Sequence, residues 1–254
     1  MHGQFAWYEL VTPDVEAAKA FYGAVVGWTI EGEGPDYTIA SAGGRGVAGF
    51  FPMAQTNRPA GAAASWMGYV VVDAVDATLE KLTAAGGQIL RPAQDIPGLL
   101  RFAVVADPHT IPFVVFTPDP SMPAPAPLPR GTVGKFGWRE LVTSDWAAAF
   151  DFYSGLFGWT RLDAIDMGEM GTYQLWTSDG GEADGGMMNA PPGMPGPGHW
   201  AYYINVDSIG AAVDRLTAAG GKLILGPREV PGGTWVAQAL DPQGGLFSLM
   251  SARP

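Results

Sequence analysis

Two stretches decide the fold: FAWYELVTPDVEAAKAFYGAVVGWT at Phe5–Thr29 and FGWRELVTSDWAAAFDFYSGLFGWT at Phe136–Thr160. Laid over one another at a shift of 131 positions, they agree at 14 of 25 places. A second match, at a shift of 134, pairs LTAAGG at Leu82–Gly87 with LTAAGG at Leu216–Gly221, and the Asp-Pro at Asp107 with that at Asp241. The 254-residue chain is a tandem duplication. A repeat of about 130 residues is too long for a solenoid unit, which predicts two similar domains, 1–117 and 132–254. Between them, Thr117–Gly131 carries six prolines in fifteen residues. That composition favours extended polyproline backbone, so residues 118–131 read as a linker.

Each half divides again. A strand-like run at Phe5–Val11 leads through Thr12-Pro13-Asp14 into an apolar stripe at helical spacing (Ala17, Phe21, Val25), ended by Gly27. Thr12 is the expected N-cap, with Pro13 in the first turn. Strands follow near Tyr37–Ser41 and Val47–Met53, and then the order repeats. Ser65–Val72 is a strand and Val75–Ala85 a helix closed by Gly86-Gly87; strands near Gln88–Arg91, Leu100–Ala106 and Pro112–Phe116 complete the half. The helix after Val75 and its counterpart are expected to start near Asp73 and Asp207, either of which can cap. The pattern is strand, helix, three strands, twice per half.

Composition narrows the function. Fourteen Lys and Arg stand against 25 Asp and Glu, a formal charge of −11, which lacks the basic clusters that phosphate backbones or anionic lipid require. Apolar residues make up 47% and charged residues 15%, against about 25% charged in an average globular chain, so a large core is available. There is no cysteine, which excludes thiolate metal sites and cysteine nucleophiles. No basic leader opens the sequence and no apolar run approaches the ~18 residues of a membrane span, so a cytoplasmic protein is expected. The Gly-rich segments Ser41–Gly49 and Ser178–Gly186 lack the Lys-Ser/Thr and strand-to-helix context of a phosphate loop and read as turns.

The ELVTPDVEAAKAFYGAVVGW stretch, its echo ELVTSDWAAAFDFYSGLFGW, the LTAAGG segments and the late Asp-Pro turns resemble the vicinal oxygen chelate superfamily. That family includes glyoxalase I, the bleomycin-resistance proteins and the extradiol dioxygenases. The resemblance implies an α+β fold of four βαβββ modules in two glyoxalase-like domains, with curved mixed sheets enclosing cavities. It leaves function open, because lyases, isomerases, oxygenases and drug-sequestering proteins share the scaffold.

The resemblance also implies positions for metal ligands. They fall on Trp7 and Trp138, on Ser65 and His199, on Val114 and Ser248, and near Phe50 or Phe51 and Met187 or Met188. His199 alone among these is a usual metal ligand, whereas a divalent cation needs three or four converging N or O donors. No cofactor is expected, and a divalent metal stays open only as an atypical site. Strand alternation places Phe5, Trp7 and Glu9 on one inward face, with Met67, Tyr69 and Val71. In the second half it places Phe136, Trp138 and Glu140 inward, with His199, Ala201, Tyr203 and Asn205. Flat rings with few polar groups suit a small-molecule pocket, although the same rings can simply fill a core.

Glu9 and Glu140 either serve as bases or ligand anchors, or accept hydrogen bonds from an indole, a tyrosine hydroxyl or an arginine such as Arg45 or Arg139. The preferred expectation is a metal-free binding protein for a small apolar or aromatic molecule, monomeric or homodimeric. Trp7, Trp138, Tyr69, Tyr203, Met67, Met187, Met188 and Ser248 would line its sites. The alternative is an enzyme of the same superfamily, of lyase, isomerase or dioxygenase type. It would use Glu140, His199 and Glu9 for acid-base chemistry, or an atypical metal. The segment NAPPGMPGPG at Asn189–Gly198 reads as a lid or as a longer connector.

Overall fold

The computed structural model describes all residues except 32–36, 60, 123–125, 195 and 197. The middle of the linker and two prolines of the 189–198 segment, expected to be a lid or a connector, therefore lie outside the described residues. The first half runs β1 (Phe5–Thr12), α1 (Val15–Val26), β2 (Thr29–Glu31), β3 (Thr38–Ala42), β4 (Arg45–Pro52), β5 (Ser65–Val71), α2 (Val75–Ala84), β6 (Gln88–Ile96), β7 (Leu100–Ala106) and β8 (Pro112–Pro118). The second repeats it: β9 (Phe136–Thr143), α3 (Trp146–Phe157), β10 (Thr160–Asp166), β11 (Thr172–Thr177), β12 (Gly185–Asn189), β13 (Gly198–Asn205), α4 (Ile209–Ala218), β14 (Lys222–Val230), β15 (Thr234–Leu240) and β16 (Leu246–Ser251).

Each half forms one eight-stranded sheet, in the orders β2-β3-β4-β1-β5-β8-β7-β6 and β10-β11-β12-β9-β13-β16-β15-β14. Within a module the first strand runs parallel to the last, as β1 does to β4 and β13 to β16, while the hairpin strands are antiparallel. The chain is α+β, with four βαβββ modules in two glyoxalase-like domains whose sheets remain open.

The helix starts differ from the expected ones. Asp14 caps α1, its carboxylate accepting from the Ala17 N–H at 3.0 Å, while Thr12 turns its hydroxyl to Gln243. Helix α2 has Ala74 at its N-cap and no side-chain cap, and α4 is capped by Ser208; Asp73 meets His2, and Asp207 pairs with Arg215 at 2.8 Å. A short polar side chain one residue nearer the helix, or a long-range partner for the expected cap, decides each case. Gly27 and Gly158 end α1 and α3 in the left-handed region, as the GW pair suggested.

Compactness does not follow the duplication. One compact unit gathers residues 7–67, 127–138 and 201–254, and the other gathers 1–6, 68–126 and 139–200. The repeated motif supplies the reason. In the first of these units α1 packs on α4. Tyr22 donates to Asp241 at 3.0 Å and accepts from the Trp66 indole at 2.9 Å. Asp241 also accepts the Gln243 and Gly245 N–H groups, both at 2.8 Å. Gln243 in turn accepts from Thr12 and from the Asp14 N–H, both at 2.8 Å.

The other unit repeats this arrangement with different partners. Tyr153 donates to Asp107 at 3.1 Å and accepts from the Trp200 indole at 3.1 Å, and His109 meets Ser144 at 2.6 Å. The tryptophans of the two GWT segments act alike. Trp28 donates to the Gly134 carbonyl and Trp159 to the Gly3 carbonyl, both at 2.7 Å. The residues that betray the duplication are thus the ones by which each unit joins a module of one half to a module of the other.

Candidate functional site

A β-strand presents alternate residues to opposite faces. On β1, Tyr8 and Leu10 are buried, whereas Trp7 and Glu9 are half-buried on the other face. The parallel register pairs Glu9 with Gly49 on β4, and in the second half Glu140 with Gly186 on β12. Directly paired residues share a face, so each glutamate faces a bare backbone position next door. A tyrosine fills the space. A Cβ on Gly49 would overlap the Tyr37 ring, and one on Gly186 would overlap the Tyr173 ring. Tyr173 reaches across to donate to Glu140 Oε2 at 2.9 Å. Tyr37 donates to Glu9 in the same way, while its oxygen accepts from the Trp7 indole at 2.8 Å.

Burial, and after it the Glu9 charge, holds the Tyr37 hydroxyl well above its ordinary pKa, so the phenol stays protonated and the carboxylate keeps its donor. A hydrogen bond from a tyrosine, one of the partners expected for Glu9 and Glu140, is present in both halves. Tyr37 and Tyr173 had not been singled out from the sequence. Their signal was a tyrosine recurring in both halves a dozen residues before a recurring glycine.

The other candidates fall as follows. Trp138 packs on Ala201, Tyr203 and Val236, with Met250 and Val230 beside it. Ser248 is fully buried and sits in register between Tyr203 on β13 and Gln238 on β15, where Gln238 donates to the Tyr203 hydroxyl at 2.9 Å. The Ser248 hydroxyl has no hydrogen-bond partner among the described residues. Tyr69 is buried with its ring edge-on to Phe116 at 6.0 Å, and Met67 is buried on β5. Met188 shares the face of Gly186 and Glu140, but Met187 pairs with Leu141 and lies on the opposite, core-facing side, away from Glu140.

Phe5 and Phe136 are each packed among other rings. Phe5 packs among Trp159, Trp176 and Trp200, and Phe136 stacks on Tyr8 at 3.8 Å beside Trp28 and Trp66. The chain passes from one compact unit to the other between Ala6 and Trp7 and between Trp138 and Arg139.

His199 is the second residue of β13, half-buried, and its imidazole makes no hydrogen bond or ion pair among the described residues. Burial alone lowers its pKa from 6.5, with no carboxylate contributing. The sign follows from linkage. As pH falls, the unfolded chain takes up this proton first, so stability present above pH 6.5 is lost as pH drops through the folded value. An NMR titration of His199 should give a midpoint below 6.5, and His199→Gln should remove that part of the acid slope; a midpoint at or above 6.5 contradicts the assigned environment.

A metal fits this donor set poorly. Among the described residues no three His, Asp or Glu side chains come together. Of the chain's three histidines, His2 meets the Leu156 carbonyl and Asp73, and His109 meets Ser144. Hard divalent cations need several convergent oxygen or imidazole donors, and indole, valine and a lone serine hydroxyl do not supply them.

The four βαβββ modules in two eight-stranded sheets define a glyoxalase-like fold, and the comparisons agree. The model of the Glyoxalase/Bleomycin resistance protein/Dioxygenase superfamily matches residues 4–115 and again 135–249. The chain belongs to this superfamily. CFP32 of Mycobacterium tuberculosis, a protein named as a glyoxylase, is 33% identical over 254 residues, covering 98% of this chain and 94% of its own length. Anthracycline biosynthesis protein DnrV of Streptomyces peucetius is 33% identical over 267 residues, covering 99% of this chain and 94% of its own.

Among solved structures, the Mn(II)-bound glyoxalase from Novosphingobium aromaticivorans superposes with a TM-score of 0.68 at 19% identity, over 100% of this chain and 83% of that one. The 2,2',3-trihydroxybiphenyl 1,2-dioxygenase of Sphingomonas wittichii gives 0.69 at 13%, over 99% and 91%. At these identities the two structures bear on the fold alone. No helix among the described residues is long and apolar enough to cross a membrane.

Proposed function

We propose that the protein binds a small, largely aromatic organic molecule on the glutamate-bearing faces of its sheets, with no requirement for a tightly held metal. The observation that carries this reading is the chain Trp7 indole to Tyr37 hydroxyl to Glu9 carboxylate, which fixes a large ring and a charge side by side on one face. Apolar ring surface with a few placed polar groups is the usual constitution of a ligand site. Trp7, Trp138, Tyr69 and Tyr203 supply the rings, and Glu9 and Glu140 orient a polar substituent. The likeness to DnrV supports a fused-ring ligand, since that relative is named for anthracycline biosynthesis.

Calorimetric titration with 2-naphthol tests the proposal. Trp7→Leu and Trp138→Leu should each weaken binding about tenfold, in keeping with the extra energy of aromatic pairs. Unchanged affinity in both variants would contradict it, as would recovery of the probe chemically altered.

A second reading, acid-base catalysis, draws on His199, whose imidazole has no partner among the described residues and whose pKa burial lowers. On that reading Glu140→Gln and His199→Ala abolish turnover of whatever molecule copurifies while the fold survives. Equal rates in wild type and variants would remove both residues from the chemistry.

A further inference from the structure

The duplication supplies an internal control for the last module of each half. In the first half the cross-strand row on β5, β8 and β7 reads Tyr69, Val114, Val104. At the same shift of 134, the row on β13, β16 and β15 reads Tyr203, Ser248, Gln238. The tyrosine is kept, and the two valines are replaced by a hydroxyl and an amide. Gln238 is committed to the Tyr203 hydroxyl at 2.9 Å, yet Ser248, fully buried between them, has no partner among the described residues. An unpartnered buried hydroxyl costs stability that an alanine or valine would not, and the first copy shows that valine fits this row.

The other unpartnered buried groups sit differently. Thr143 and Trp176 lie on the core-facing side with Met187, and Ser65 stands at the start of its strand, outside the row. Ser248 shares its face with Tyr203, on which Trp138 packs, and Met250 follows it two residues later on the same face.

We infer that the Tyr203–Ser248–Gln238 row is a recognition subsite for an oxygen-bearing substituent, a carbonyl or hydroxyl, on the ring of an aromatic ligand, and that the second half alone has it. The inference rests on the binding function proposed above. A serine hydroxyl both donates and accepts, so it can complete its hydrogen bonding with either substituent and gains nothing from a bare hydrocarbon ring. At this row the second half therefore recognises a ring-borne oxygen, and the first, with valines there, does not.

Equilibrium dialysis with 2-naphthol and naphthalene tests this in wild type and in Ser248→Ala. Wild type should prefer 2-naphthol. The variant should lose about tenfold for 2-naphthol and nothing for naphthalene, the worth of one ligand hydrogen bond. Its melting temperature should not fall, because no internal hydrogen bond is removed. Equal losses for both probes, no loss for 2-naphthol, or a marked drop in melting temperature would overturn the subsite while leaving the binding function standing. Failure of wild type to bind either probe would overturn both.

Discussion

Replacing Asp241 by alanine should lower the unfolding free energy by about 3–5 kcal/mol, because three donors lose their acceptor at once. The carboxylate accepts from the Tyr22 hydroxyl and from the Gln243 and Gly245 N–H groups, and it is 5% exposed. Its removal leaves three donors, two buried and one part-buried, with no acceptor, and each buried orphan costs about 1–3 kcal/mol, less whatever water can recover. Tyr22 responds to the same pair: burial, and then the Asp241 charge, holds its pKa far above the ordinary phenol value.

Tyr22→Phe should cost less than Asp241→Ala, and the double variant should cost less than the two losses added, because the residues share one network. Asp107→Ala, which strips Tyr153, His109 and Ile111 of the same acceptor, should behave alike. Chemical denaturation measures all four. A loss below about 1 kcal/mol for Asp241→Ala would show that the turn does not hold its unit together.

Gly186→Val should be the next most damaging change and should reach the site directly. Its Cβ would overlap the Tyr173 ring, so the tyrosine must leave and Glu140 loses the donor that holds it at 2.9 Å. Forcing carbons into a packed position costs about 1–3 kcal/mol, and the displaced phenol and carboxylate add to it. Gly49→Val should do the same to Tyr37 and Glu9. The decisive comparison pairs Gly186→Ala with Tyr173→Ala. With the ring gone, the added methyl meets open space, so the double variant should be no less stable than Tyr173→Ala alone. An additive penalty would mean that Gly186 is required for its backbone and not for the ring.

The order of elements was legible because its signals are local: helical apolar spacing, a glycine after each GW helix, and period-two strands. Strand β2 was not, since Thr29–Glu31 is three residues long and shows no alternation of its own. The composition of the compact units was equally hidden. It depends on Tyr22, Trp28 and Thr12 finding Asp241, Gly134 and Gln243 more than a hundred positions away, and no local pattern reports such pairs. At the site, the shared face of Trp7 and Glu9 followed from strand parity. The tyrosine that holds Glu9 did not, because it arrives from just before β3, two strands away, across Gly49 of the intervening β4. Met187, taken with Met188 as a lining residue, turned out to face the core, an ambiguity of one residue that strand register alone removes.

The most direct test of the account is a tryptophan-fluorescence titration of chelator-treated protein with 2-naphthol. The account predicts saturable quenching, unaltered when Mn, Fe, Ni or Zn is added back. Absence of saturable quenching, or quenching that appears only once a divalent cation is restored, would contradict it.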